Sequence, residues 1–83
     1  MRLLYFAWVK ERAGIAAEEI EPPASVATIA ELIAWLKTRG PEFENAFAQC
    51  EVIRAAIDKS HVRHDAKIAG AREIAFFPPV TGG

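Results

Sequence analysis

Apolar residues fall in short blocks whose spacing changes along the chain. The first, RLLYFAWV at 2–9, is aromatic and branched at consecutive positions. That pattern predicts a strand covered on both faces, near the centre of a sheet. KERAG (10–14) reads as a turn with Gly14 as its flexible position. IAAEEIEP (15–22) is a weaker strand, stopped by Pro22-Pro23. Two strands so close in sequence predict an antiparallel hairpin, with the second strand at or near an edge.

At TIAELIAWLKTRGP the period becomes helical. Ile29, Leu32, Ile33 and Leu36 recur at i, i+3, i+4 and i+7. Thr28 and Glu31 have the spacing of a capping box, in which each side chain satisfies the other's free backbone N–H. Lys37 and Arg39 suit the C-terminal dipole, Gly40 suits the left-handed position after a helix, and Pro41 blocks continuation. EFENAFAQ (42–49) places Phe43, Ala46 and Phe47 at helical spacing and predicts a short second helix. VIRAAI (52–57) reads as a strand. The polar stretch 58–70 is turn-rich, with a short strand near His61–Val62, and EIAFF (73–77) is a final strand ended by Pro78-Pro79.

Strand, strand, helix, strand, short strand, strand is the order of an α+β protein of the β-grasp type, familiar from ubiquitin. The expectation is a mixed sheet of four to five strands with one main helix on one face. The two core-like terminal strands should lie side by side in its centre. One helix covers one sheet face, so apolar residues of 2–9 and 73–77 are left on the other for a partner. Residues 1–77 are then a globular domain and 78–83 an extended C-terminal tail.

Composition narrows the function by exclusion. Eighty-three residues make one domain, half of them apolar. The net charge is −1 and the basic residues are scattered, which argues against a nucleic-acid partner. No apolar run could span a bilayer, and no cleavage-site pattern follows Met1-Arg2, so a soluble cytoplasmic domain is expected. The single cysteine, Cys50, cannot form an internal disulfide and reads as a small buried or half-buried structural residue.

His61, His64 and Asp65 are close in sequence. Zinc, however, needs three or four ligands held in fixed geometry, so a polar surface loop is expected and no metal site. There is no glycine-rich phosphate loop, no nucleophile elbow and no catalytic carboxylate pair, and Trp8 and Trp35 read as core or interface aromatics. No cofactor is expected to bind this chain. If it takes part in chemistry, it must do so as a reactant.

The sequence closes on AFFPPVTGG. Pro78-Pro79 cannot donate to a ladder and favours an extended conformation, which makes a stiff arm. Val80 and Thr81 offer a small docking surface, while Gly82 and Gly83 lack side chains and would pass a narrow channel in another protein. Adenylation with ATP would turn the terminal carboxylate into an electrophile open to sulfur or to an amine. A frayed terminus is the plain alternative.

AFFPPVTGG closely resembles the C-terminal signature of the small, sulfur-carrier subunit family of molybdopterin synthase. LLYFAWVKERAG resembles that family's first strand and turn, and TIAELIAWL its helix start. The resemblance implies that an ATP-dependent (Mg-dependent) activating enzyme adenylates Gly83 and that sulfur from a donor gives a thiocarboxylate. The tail would then enter the large catalytic subunit and convert precursor Z to molybdopterin, within a heterotetramer. Gly83 is implied as the sulfur carrier and Gly82 as the residue that keeps the tail slim. Phe76, Phe77, Pro78, Pro79, Val80 and Thr81 are implied to direct or contact the partner. Lys10 matches a basic residue that would meet acidic groups on a partner, or is equally a solvated turn lysine.

Two places depart from the family pattern. GAREI (70–74) stands where members often carry DGDEV, and IDK (57–59) where they often carry VNQ. Three other functions stay open. One is a sulfur carrier for thiamin or transfer-RNA thiolation. The others are a ubiquitin-like modifier joined through Gly83 to lysines, and an interaction module with an inert tail.

Overall fold

The computed structural model describes residues 1–79. Five strands form one mixed sheet: β1 (Arg2–Tyr5), β2 (Ala17–Glu19), β3 (Arg54–Ile57), β4 (Ser60–Val62) and β5 (Glu73–Phe77). Their order is β2-β1-β5-β3-β4. β5 runs parallel to β1 and antiparallel to β3, while β2 pairs antiparallel with β1. The expected β-grasp therefore forms, with the terminal strands adjacent and β2 at an edge.

Three helices accompany the sheet: α1 (Ala7–Ala13), α2 (Ile29–Lys37) and α3 (Pro41–Ala46). Their inward residues Val9, Ala13, Ile29, Leu32, Ile33, Leu36 and Ala46 share one core with Leu3, Tyr5, Ile74 and Phe76 of the sheet. Strands and helices thus bury a single apolar cluster on one sheet face, the two-layer solution expected at this length. α2 carries the predicted capping box: Thr28 Oγ1 accepts from Glu31 N–H, and Glu31 Oε1 accepts from Thr28 N–H.

Several boundaries differ from the sequence reading. The strand expected over 2–9 ends at Tyr5, and the KERAG turn is part of α1. Phe6 is still extended, but Ala7 has φ +53°, and the Phe6 carbonyl accepts from Val9 and Lys10 N–H to open a helix. No side chain caps that helix. Gly14 closes it at φ +83°, a left-handed position that glycine occupies without a Cβ penalty.

α2 is the expected main helix and α3 the expected short second one, so α1 is the addition. α2 stops at Lys37, where the Thr38 hydroxyl donates to the Trp35 carbonyl. Gly40 precedes α3 rather than ending α2, and Pro41 is that helix's first residue, where a missing N–H is harmless. Val52 lies in a 3-10 turn, Cys50–Val52, so β3 starts at Arg54.

One polar network ties the β2 edge to the loop after α2. The Tyr5 hydroxyl donates to Glu18 at 2.7 Å, and Arg39 holds the same carboxylate through both terminal nitrogens at 2.8 and 2.9 Å. Arg39 also lies over the Phe43 ring at 4.7 Å. Burial, and then Glu18, push the Tyr5 phenol up. The Arg39 hydrogen bonds hold the Glu18 carboxyl below its usual value of 4.5.

A carboxylate with a depressed folded-state pKa stabilises above the unfolded value and loses that contribution as pH falls through the folded one. Glu18→Gln should therefore cost about 1 kcal/mol near neutrality, given its partly exposed partner. The gap from wild type should close below about pH 4.5. Thermal melts of both proteins across that range check this, and a gap that persists at low pH would refute it.

Candidate docking face and root of the tail

Alternation along β5 sends Ile74 and Phe76 into the core and Glu73, Ala75 and Phe77 to the face without helices. Strand register extends that second face sideways. Leu4 lies beside Ala75 and Ala17, Ala56 lies beside Ala75, and His61 beside Ala56. The result is a mostly apolar row, Ala17–Leu4–Ala75–Ala56–His61. Ala56 is buried yet stands outside the main core, as a small residue shielded by this row would be.

The row is richest at the end where β5 leaves the sheet. Phe77 pairs with Arg54, and its ring lies 5.2 Å from His61. Phe6 and Ile15 are 47% and 37% exposed, among the most exposed large apolar side chains described. Phe6 N–H donates to the Phe76 carbonyl, which sets Phe6 next to the root of the tail. At the other end a charged rung of Glu19, Arg2 and Glu73 closes the face. An exposed apolar surface rimmed by charge is the usual mark of a protein-binding site.

The sequence-selected residues separate accordingly. Phe76 is 0% exposed, packed edge-on to Phe47 at 5.1 Å and stacked with Tyr5 at 6.3 Å, so it fixes β5 from inside the core. Phe77, Pro78 and Pro79 are half-buried and reachable. Lys10 is exposed on α1, not on a turn. Val80, Thr81, Gly82 and Gly83 lie outside the described residues.

The sequence reading took His61 as part of a polar surface loop, and missed Ala56, because a bare RAAI gives no sign of which alanine faces out. Only the register with β5 shows it. Cys50 is half-buried and packs against the core, as expected. His64 Nε2 lies 2.7 Å from the Ile53 carbonyl, so that nitrogen carries a proton and donates. His61 meets Phe77 instead, and the two histidines are occupied separately.

The two departures from the family pattern meet in space. Asp58 and Lys59 form the two-residue turn between β3 and β4, with φ +47° and +74° as a type I′ hairpin requires. Asp58 Oδ1 accepts from the backbone N–H of Arg72 and Glu73 at 3.1 and 2.9 Å, and its own N–H donates to the Glu73 carbonyl. The Asp of IDK thus orders the loop that enters β5 as GAREI. Asp58→Ala should cost about 1–2 kcal/mol, or roughly 4–16 °C in melting temperature, while Asp58→Asn keeps an acceptor and most of the stability. Equal losses in the two variants would show that the turn, not the acceptor, matters.

A five-stranded mixed sheet with parallel terminal strands and helices packed on one side defines a ubiquitin-like β-grasp protein. Residues 3–83 match the ThiS family model, and the chain belongs to that family. It is 31% identical to the molybdopterin synthase sulfur carrier subunit of Escherichia coli (strain K12), over all of this chain and 99% of that one. It also resembles SAMP1 from Haloferax volcanii, with TM-score 0.74, 25% identity, and coverage of 100% of this chain and 98% of the other. A second structure of that small archaeal modifier protein 1 matches with TM-score 0.72 and 20% identity over 96% and 97% of the two chains. Among the described residues, no helix is long and apolar enough to cross a membrane.

Proposed function

We propose that this chain is the sulfur carrier of molybdopterin synthase. The observation that carries the reading is the end-to-end similarity to the E. coli sulfur carrier subunit. The apolar face around the root of the tail agrees with it, because a carrier must dock while its terminus reacts.

In this reading the Gly83 carboxylate attacks the α-phosphorus of ATP in an activating enzyme and releases pyrophosphate. The ATP and its magnesium belong to that enzyme. A sulfur nucleophile then displaces AMP from the acyl carbon and leaves a thiocarboxylate on Gly83. Gly82 keeps the approach narrow. The loaded chain docks on the large catalytic subunit through Phe77, Leu4 and their neighbours, in a heterotetramer. It donates its sulfur to precursor Z and returns to the carboxylate; two such transfers make the dithiolene of molybdopterin. The ATP requirement places this cycle in the cytoplasm.

Intact mass spectrometry after incubation with ATP, an activating enzyme and a sulfur source tests the proposal. One oxygen exchanged for one sulfur is expected, reversed on adding precursor Z and the large subunit. No exchange with any activating enzyme of the host would overturn it. The similarity to an archaeal modifier protein favours one second reading, transfer of activated Gly83 to lysine amines. Isopeptide-linked adducts in cells, with no thiocarboxylate, would select it.

A further inference from the structure

On the face without helices β3 lies between β4 and β5, so the backbones that carry His61 and Phe77 are roughly 10 Å apart. Their ring centroids are nevertheless only 5.2 Å apart, with the planes tilted by 55°. Register sets the pair on a diagonal: His61 faces Ala56, and Phe77 faces Arg54 two residues away along β3. Both side chains therefore reach inward across β3. Ala56 leaves room for this, because it puts only a methyl group beneath the contact.

The alanines of this face record where the rings lie. Ala17 is exposed and Ala75 half-buried, yet Ala56 is only 6% exposed. Ala56 and Ala75 are direct ladder partners, so identical methyl groups on adjacent strands are covered on one and reachable on the other. The helices do not supply that cover, since Ala56 stands outside the main core. The ring pair over β3 accounts for it, with Phe77 turned toward β4 rather than laid across Ala75. On the β1 side Phe6 remains 47% exposed. Between Phe77 and Phe6 the half-buried Leu4 and Ala75 form an open apolar lane.

We propose that His61 is a positioning residue for docking: it draws the Phe77 ring over Ala56 and so keeps the Leu4–Ala75 lane clear for the large subunit. The partner in this inference rests on the sulfur-carrier reading. His61 acts through Phe77, at the end of the strand from which the tail leaves. An aromatic anchor that is already oriented loses less freedom on binding, so the effect falls on affinity. Without the imidazole, the Phe77 ring is released to settle across Ala75, where it must be displaced before the partner can seat.

Two measurements on the full-length chain test this. In the free chain, NMR reads the methyl protons of Ala56 and Ala75, which the face of an aromatic ring shields. His61→Ala should move the Ala75 methyl upfield and the Ala56 methyl downfield, while His61→Phe should leave Ala75 near its wild-type position. The same spectra show that each variant is folded. Titration with the large subunit then reads the consequence. His61→Ala should weaken binding about fivefold, and His61→Phe should restore it to within about twofold. Once Phe77 is alanine, His61→Ala should bring no further loss. An Ala75 shift that ignores His61→Ala would overturn the steering, and an unchanged affinity would overturn its role in docking. Equal losses in the two backgrounds would mean that His61 touches the large subunit itself, which also overturns the positioning role. Absence of binding by the wild-type chain would defeat the sulfur-carrier reading and the docking role with it, while the alanine shifts would still decide whether His61 sets Phe77.

Discussion

Deleting Gly82 and Gly83 should abolish sulfur loading completely while leaving the melting temperature within about 1 °C of wild type, because both glycines lie well beyond Phe77, the last residue of β5, with four residues between Phe77 and Gly82. The proposed cycle needs a main-chain carboxylate that can reach the α-phosphorus of ATP. Truncation moves that carboxylate to Thr81, which is two residues shorter and carries a branched side chain. Both changes would oppose entry into the narrow channel that the proposed cycle requires of the partner. The measurement is the thiocarboxylate mass gain beside a thermal melt. Residual loading of the truncated chain would mean that the bare dipeptide is not what the activating enzyme selects. A fallen melting temperature would mean that the tail belongs to the fold.

The second large effect separates two neighbours. Phe76→Ala empties a fully buried ring site between Tyr5 and Phe47. It should cost about 3–5 kcal/mol, a large share of the stability of so small a domain. Phe77→Ala removes a half-buried ring from the opposite face and should leave the fold close to intact. Binding to the large subunit should nevertheless weaken about 30-fold or more, the effect of losing an aromatic anchor worth at least 2 kcal/mol at the centre of an interface. Denaturant melts and titration with the large subunit measure both. A Phe77→Ala chain that binds as wild type would remove this face from the docking surface.

Sequence reading recovered the elements in which local and tertiary signals agree. Thr28, Glu31 and the Ile29–Leu36 spacing specify α2 within the helix itself, and its N-terminus lies where the capping box puts it. β5 is bounded at its C-terminal end because Pro78 ends a ladder. α1 was hidden for the opposite reason. Its start depends on a positive φ at Ala7 and on an uncapped Phe6, neither of which leaves a mark in composition. Its inward positions, Val9 and Ala13, are only two residues, and they continue an apolar run that already reads as strand.

The candidate site was legible on the strand that carries the tail and less so beside it. FFPP pointed to the root of the tail, and the two terminal strands pointed to an uncovered face. That Phe76 looks inward while Phe77 looks outward follows from alternation, but which parity is buried is settled by Tyr5 and Phe47. His61 comes to that face through its register with Ala56, and Arg54 through its register with Phe77. No pattern in the polar stretch 58–70 announces that register.

The position of β5 between β1 and β3 also orders events in time. Every other strand precedes it in the chain, so as synthesis proceeds the sheet has a vacant central lane until residues 73–77 emerge. β1 waits beside that lane with its hydrogen-bonding edge open, and Phe76, the ring that joins Tyr5 to Phe47, arrives with the same five residues. Pairing of such distant segments is slow to nucleate. Closure of the domain is thus tied to the strand that leads into the glycines. A nascent chain cut short before residue 73 would lack both the C-terminal glycines and the keystone of the sheet, so an abortive product could not complete the fold.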